Sequence, residues 1–460
     1  MALNGCAECL KKQREIDRLT EALQRLKQKL RYQERQGIEG FFGSSTPSAK
    51  LPVKANTPPA KAPKRKGARP GHAGAGRQTF DAHEAERIID VAAEVSDRCP
   101  SCDFPLEDKG TDGRLVLDGH PVKAERVLYR LPKKYCPQCR RSFQPRAPAV
   151  LPKSLYGNQL IATAITMHYL HGIPAGRICD QTGLGPGSLV EIFHRVARLF
   201  ARIPERLIQE YRLAPVKHAD ETGWRTNGHN GYAWLFATPH LSLFLFRQTR
   251  AASVPQQVFG KPWLPGCLIV DRYGGYNKVP CAIQYCYSHL LREVQDLDKE
   301  FPDTAEVQAF VSTVAPQLAL AMGLRTQPIS DAEFARLAAV LKAQIIATME
   351  APAQHLGIRR LQEIFRAHAD RLYHWAEDRR IPADNNLAER DLRPTVIARK
   401  VSFGSQSDAG AQTRGVLMSV LHTLKKRQVD VVAHLKRVLD QLALDLHQDP
   451  FPLLFPEAPT

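Results

Sequence analysis

The sequence predicts a multidomain α+β protein, and three observations carry that prediction. At 460 residues the chain exceeds what one hydrophobic core usually spans. Its apolar pattern changes period along the chain, from helical to strand-like near Ala214 and back to helical after residue 302. A Pro-rich basic stretch and two Cys-x-x-Cys pairs divide the first helix from the rest.

The first element is a short heptad helix. Ile16, Leu19, Leu23, Leu26 and Leu30 recur at alternating intervals of three and four, with charged and amide residues between them. This is the seam of a two-stranded coiled coil in miniature, although a helix packed on its own chain would show the same period. Cys6 and Cys9 precede it and are compatible with two free thiols or with half of a metal site shared by two chains. Residues 37–80 read as a linker. Pro47, Pro52, Pro58, Pro59, Pro63 and Pro70 preclude a core there, and the basic run Lys61 to Arg69 suits either DNA phosphates or plain solvent.

Cys99-Pro-Ser-Cys102 and Cys136-Pro-Gln-Cys139 stand 33 residues apart. Four thiolates so spaced can wrap one tetrahedral zinc, and a shell filled by protein leaves no position for water, so the site is expected to be structural. Strand-like pieces at Arg114–Leu117 and Arg126–Leu131 complete the expected zinc ribbon. Residues 155–201 then read as helices. Pro174 can start a short one ending near Thr182-Gly183, and after the turn Gly183 to Gly187, Ser188 is the expected N-cap of the next. Helix, short turn and helix follow the helix-turn-helix plan, with a helical bundle lacking any DNA role as the alternative.

Strands are expected at Pro215–Ala219, Gly231–Ala237, Leu241–Arg247, Gly266–Asp271 and Ala282–Tyr287, with a turn at Thr238-Pro-His240. Three meander strands, a helix-length gap and two more strands give the order of a ribonuclease-H-like domain. Residues 302–378 read as amphipathic helix, with Leu337, Val340, Leu341 and Ile345 on one face, and a helix from about Ala411 to Leu444 finishes the chain. The expected division is 1–36 coiled-coil helix, 37–80 linker, 81–150 zinc ribbon, 151–210 helix-turn-helix-like domain, 211–300 first part of the α/β core, 301–380 helical insertion, and 381–460 a further core helix with the C-terminal helical region.

The net charge of +17, from 64 basic and 47 acidic residues, favours a polyanionic partner. The charge is clustered. Eight Lys or Arg and no acid lie between Lys50 and Phe80, and ten basic residues against three acids lie between Arg390 and Arg437. Clustering favours nucleic acid over an anionic membrane or a merely solvated surface. The start Met-Ala-Leu-Asn-Gly-Cys is unlike a signal peptide, and the longest apolar runs, such as Leu241–Phe246, are far short of a membrane span. The expected location is the cytoplasm, where ten cysteines stay mostly reduced.

Three acids stand out by position: Asp220 after the first strand, Asp271 at the end of the fourth, and Glu389 on a helix that Asp384 can cap and Pro394 can end or kink. Asn386, Glu389 and Arg393 share one helical face. Taken singly each acid is ordinary, since strand-end Asp often caps a turn. As an ordered set, two strand acids and one helix acid form an open oxygen clamp for two magnesium (or manganese) ions, the arrangement phosphodiester chemistry uses. Arg390, Arg393, Arg399 and Lys400 follow closely and are the expected DNA contacts, with solvated side chains as the alternative.

The chain resembles the transposases of the insertion-sequence family numbered sixty-six over nearly its whole length. The matching motifs are Asp220-Glu-Thr-Gly-Trp224, Asp271-Arg-Tyr-Gly-Gly-Tyr-Asn277, Tyr287-Ser-His-Leu-Leu-Arg292 and Asn385-Asn-Leu-Ala-Glu-Arg-Asp-Leu-Arg-Pro394, followed by Arg399-Lys400. The double Cys-x-x-Cys ribbon and leading coil match too. It departs from the family at Tyr287-Ser-His289, where Trp-Ala-His is common, and in the extra Cys6–Cys9 pair. The resemblance implies Asp220, Asp271 and Glu389 as a metal-binding DDE triad, two divalent ions per active site, and a helical insertion from about 300 to 380. It implies cleavage at an element's terminal inverted repeats and strand transfer into target DNA. Acting on two ends calls for a homodimer or higher oligomer on DNA, with accessory proteins left open. The alternatives are a non-catalytic, domesticated DNA-binding protein and a nuclease without strand transfer.

Overall fold

The computed structural model describes residues 146–456 apart from 428 and 429. It also describes 124–132, 134–138 and 140–143, and positions 15, 16, 18–24, 26, 102 and 105. The chain divides into two compact units, residues 53–123 and the remainder. Cys6, Cys9, Leu30, Cys99 and Cys139 lie outside the described residues.

The first helix, α1, is helical at residues 15, 16, 18–24 and 26. Ile16, Leu19, Leu23 and Leu26 are each more than half exposed, so the described part of the heptad seam is uncovered. Strands β1 (Lys134–Cys136) and β2 (Arg141–Phe143) form an antiparallel hairpin with Cys136 opposite Arg141. Cys136 thus ends the first strand of this hairpin. The strand expected at Arg126–Leu131 is not one: those residues take no regular structure.

Helices α2 (Asn158–Tyr169), α3 (Ala175–Thr182), α4 (Pro186–Leu199) and α5 (Ile203–Leu213) follow. Pro174 caps α3 as expected, and Gly183 ends it in the left-handed region at φ +73°, which glycine adopts without a Cβ clash. The cap of α4 is Gly185 with Pro186 at the first helical position, not Ser188, which lies inside the helix. Proline's fixed φ suits that first position and its missing N–H costs nothing there. Leu189, Ile192, Phe193 and Val196 of α4 are buried, and His194 Nδ1 lies 2.7 Å from Thr413 Oγ1 near the C-terminus.

Five strands form one mixed sheet in the order β5-β4-β3-β6-β7. They are β3 (Val216–Thr226), β4 (His229–Thr238), β5 (Leu241–Arg247), β6 (Cys267–Val270) and β7 (Ala282–Tyr285). The first strand runs six residues beyond Asp220, further than the pattern suggests, because Asn227 and Gly228 turn it into β4 with φ +51° and +76°. Asn-Gly is the sequence signal for such a tight hairpin. At the far end Tyr287 starts a helix instead of extending β7. Helix α6 (Ser253–Phe259) fills the gap between β5 and β6.

β5 is an edge strand, and helix α13 (Asp408–Arg427) covers it. The backbone N–H groups of Ser242 and Phe244 donate to Thr423 Oγ1 and Ser419 Oγ at 3.1 and 2.8 Å. Gly415 permits this approach, since a Cβ there would stand 3.0 Å from the Phe244 carbonyl oxygen. Helix hydroxyls replace the ladder a sixth strand would offer, which protects the edge from foreign pairing. The expected single C-terminal helix is two, α13 and α14 (Val431–Leu444), because Asp430 caps the second through the Ala433 N–H. A short α15 (Pro450–Leu454) follows.

Between the sheet and the C-terminal region lie α7 (Tyr287–Glu300), α8 (Ala305–Leu324), α9 (Asp331–Glu350), α10 (Leu356–Ala367), α11 (His374–Glu377) and α12 (Asn386–Ser402). On α9 the buried face is Phe334, Ala338, Leu341, Ile345 and Met349, at steps of three and four, so Val340 faces solvent instead of sharing it. Among the described residues α8 is the one helix long and apolar enough to cross a bilayer, at mean hydropathy 1.4. Glu306, Gln308, Ser312, Thr313 and Gln317 interrupt its apolar residues, so the sequence shows no long apolar run there. Its Val307, Phe310, Val314 and Leu318 are buried in the core, beside α7 and α9. One continuous core joins Leu151 to Phe455 through sheet and helices.

Two core histidines make this fold acid-sensitive. Burial holds the His168 and His422 imidazoles down to about 4 from 6.5, helped for His168 by Arg414. His168 Nε2 faces the Arg414 guanidinium at 3.0 Å, a place for a lone pair and not for a proton. The unfolded chain takes up these protons below pH 6.5 and the folded chain only near 4. Their contribution is therefore full above 6.5 and is lost as pH falls toward 4. In thermal melts between pH 7.5 and 5, wild type should lose stability relative to a His168→Gln, His422→Gln double variant. A constant gap between the two across that range would refute the assignment.

Candidate active site

Alternation along β3 separates its two neighbouring acids. Residues 218, 220 and 222 point to one face of the sheet and Glu221 to the other. β3 and β6 are parallel, with His218 level with Ile269. Two residues further on, Asp220 comes level with Asp271, which follows the last residue of β6. Neighbouring strands stand about 4.8 Å apart, so the two backbones bring these acids side by side. Asp220 is therefore within its strand, opposite Leu235 of β4, and not after it. Its Oδ1 accepts the Glu221 N–H at 2.8 Å, and Asp271 Oδ1 accepts the Tyr273 N–H at 2.9 Å.

Helix α12 is fastened to β3 over this face at both of its own ends. Asn385, its cap residue, is 1% exposed. Asn385 Oδ1 lies 2.8 Å from His218 Nδ1, Nδ2 donates to the Ala219 carbonyl at 2.9 Å, and the backbone N–H donates to Cys286 Sγ at 3.1 Å. Asp384 was the expected cap. Its Oδ1 accepts the Asn386 N–H at 2.9 Å, while the cap position itself belongs to Asn385. Further along, Arg399 is buried and donates to Thr222 Oγ1 at 2.8 Å and to the Gly223 carbonyl at 2.6 Å. Arg399, expected among the DNA contacts, thus has its guanidinium engaged by β3. Arg390, Arg393 and Lys400 are exposed.

Glu389 stands one turn inside α12, partly buried, with Oε1 shut from solvent and without a hydrogen-bond partner. Burial raises its carboxyl, and Asp384 and Asp271 add to the rise while Arg292 and Arg393 oppose it. Asp220 is pushed well above the usual carboxylate range, first by burial and then by Glu221, Asp271 and Glu389. The three expected acids thus lie in one another's fields. They do not form the tightest ligand group, however. Among the described residues that group is Cys286, His289 and Glu389, whose ligand atoms all lie within 4.8 Å of one another.

The opposite face carries Glu221, which the sequence reading passed over. Burial and Asp271 push its carboxyl up to about 7, against the opposing effects of Arg250 and Tyr276. Arg250 donates twice to Oε1, at 2.9 and 2.6 Å, and the Tyr276 hydroxyl donates to Oε2. Arg250 also lies over the Tyr273 ring at 4.0 Å. The motif from Asp271 to Asn277 is thereby explained as scaffold. Tyr273 supports Arg250, Tyr276 holds Glu221, and Gly275 leaves room where a Cβ would strike the Tyr273 ring at 2.3 Å. Asn277 Oδ1 accepts from the Tyr285 hydroxyl and from Arg371, at 2.9 and 2.6 Å. Nothing periodic marks Arg250. Cys286 and His289 were visible only as a one-turn Cys-x-x-His spacing.

A mixed α+β chain with clustered acids at the end of parallel strands belongs, on comparison with known families, among the transposases. A family model described as Transposase IS66 family matches residues 153–413, more than half of the chain, and the chain belongs to that family. It is also similar to the uncharacterized protein y4qI of Sinorhizobium fredii, 25% identical over 423 residues, 82% of this chain and 76% of that one. A second relative from the same organism, the uncharacterized protein y4jD, is 24% identical over 397 residues, 77% and 76% of the two chains.

Asn385→Ala should lower the unfolding free energy by about 3 kcal/mol, since it strands the Ala219 carbonyl and His218 in the interior. The exposed neighbour Asn386 should tolerate alanine within about 0.5 kcal/mol. Urea midpoints of the two variants test this, and equal losses would contradict the assigned role of Asn385.

Proposed function

We propose that the chain is a DDE-type transposase whose Asp220, Asp271 and Glu389 hold two divalent ions, magnesium or manganese, at a ribonuclease-H-like core. The supporting observation is the register that sets Asp220 beside Asp271 on parallel strands, with α12 fastened across the same face. The strand order β5-β4-β3-β6-β7 is the order expected of that core. The residues suit hard cations: three carboxylates raise one another's charge cost, and a buried Glu389 oxygen has no other partner. When bound, two such ions activate the attacking oxygen and stabilise the leaving one.

In the proposed reaction a water oxygen attacks phosphorus at the element's terminal repeats and frees a 3′-hydroxyl. That hydroxyl then attacks a target phosphodiester, forming one P–O bond as another breaks. The chain's own part is positioning. Asn385 and Arg399 hold α12 against β3, which keeps Glu389 over the strand acids. Arg250 and Tyr276 hold Glu221 on the far face, away from the clamp. Exposed Arg390, Arg393 and Lys400 bind phosphates beside it.

The remaining parts serve DNA. Cys99, Cys102, Cys136 and Cys139 hold one structural zinc in a ribbon at 81–150, and α3 and α4 act as the helix-turn-helix. The seam Ile16 to Leu30, uncovered at Ile16, Leu19, Leu23 and Leu26, assists a homodimer or higher oligomer on DNA, alongside any accessory proteins. The proposed location is the cytoplasm, with no membrane partner.

Asp220→Asn, Asp271→Asn and Glu389→Gln should each reduce cleavage and strand transfer below about one per cent of wild type while DNA binding persists, because affinity rests mostly on phosphate contacts. Retained strand transfer in any variant removes that residue from the clamp. Retained cleavage without joining in the wild type would favour a nuclease.

Arg393→Ala and Lys400→Ala should each lower the magnitude of the log-affinity versus log-salt slope by about one. Arg399→Ala should leave the slope unchanged and cost stability instead. A slope change confined to Arg399→Ala would reverse these assignments.

A further inference from the structure

α7 begins directly after β7, with Cys286 as its cap residue, and His289 follows one turn later. Both ring nitrogens of His289 are shut from solvent, and neither has a hydrogen-bond partner. Whatever exposure the residue keeps does not reach them. Glu389 Oε1 is in the same condition. The residues that carry these atoms are neighbours, since one ligand atom from each of Cys286, His289 and Glu389 falls within 4.8 Å of the others. A buried imidazole with two idle nitrogens is costly where an apolar side chain would fill the space, so the group asks for an occupant.

The surroundings say what kind. Cys286 Sγ already accepts the Asn385 N–H, so the thiol is fixed in place by the cap of α12. Glu389 supplies a hard oxygen and His289 a borderline nitrogen. Asp271 acts electrostatically on both His289 and Glu389, which puts this group beside the carboxylate clamp.

We propose that His289 is a nitrogen ligand to the divalent ion held by Glu389, making that position selective for manganese or a similar transition ion over magnesium. The inference rests on the carboxylate-clamp reading and deepens it. Oxygen-only sites suit magnesium, whereas an imidazole in the shell favours later first-row ions. The two ion positions would then differ: one held by oxygen alone, the other by oxygen and nitrogen.

Pulsed electron paramagnetic resonance of the full chain loaded with Mn2+ tests this. Wild type should show nitrogen coupling to bound Mn2+. Growth with 15N-histidine should convert the 14N modulation to 15N, which assigns it to histidine without any substitution. His289→Gln should abolish the coupling and weaken Mn2+ binding at least tenfold, with a smaller loss of Mg2+ measured by competition. Asp271→Asn should reduce bound Mn2+ as a check on the clamp itself. If Mn2+ binds in an Asp271-dependent way but shows no histidine nitrogen, or keeps it in His289→Gln, the inference falls and the clamp stands. Absence of any Asp271-dependent Mn2+ binding overturns both. Should His289→Gln fail to fold, the isotope arm on wild type alone decides.

Discussion

Four carboxylates crowd the end of one five-stranded sheet, and the cost of holding them there shapes everything packed around it. Like charges taken out of water repel strongly, and each raises the others' affinity for protons. Each acid has its own remedy. Glu221 receives Arg250 and Tyr276 on the far face. Asp220 and Asp271 have backbone N–H groups, and Glu389 has Arg292 and Arg393 in its field. The remedy for the near face is incomplete within the chain, and the proposed cations would complete it.

Such a cluster needs a rigid frame, because opposing charges would otherwise spread it. The frame is β3, paired on one side to β4 over nine residues and on the other to β6. α12 is joined to it by Asn385 at one end and Arg399 at the other. After α12, Gly404 takes φ +129° against the Arg225 carbonyl, and Ser405 exchanges backbone hydrogen bonds with Arg225 and Asn227. The helix bearing Glu389 is therefore held before, along and after its acid. α13 closes the edge of the sheet with Ser419 and Thr423, so the frame ends without an exposed ladder at that edge.

Asn385 and Arg399 also show how a motif can be correct in kind and misleading in role. The run Asn385 to Pro394 marks the family, and its polar residues look like a surface for phosphate. Asn385 is instead a fully buried polar joint of the site, and Arg399 is a clamp on β3. Both side chains are long or forked enough to satisfy two buried polar groups at once, which a sequence displays no differently from a ligand contact.

By itself the sequence determined the family, the five strands in their approximate places, the three spaced acids and the helical segments. All of these depend on local period or on a run of adjacent residues. The Asn227-Gly228 turn was equally legible, and without it the expected strand stops at Ala219, seven residues short of Thr226. Only the tertiary structure decided which acids share a face, that Glu221 is held away, that Arg399 is buried and that His289 joins Glu389. The physical reason is separation. His218 meets Asn385 across 167 residues and Arg399 meets Thr222 across 177, and no periodicity spans such intervals. Those pairings exist because the parallel crossover returns the chain to β3, where buried polar groups had to find partners.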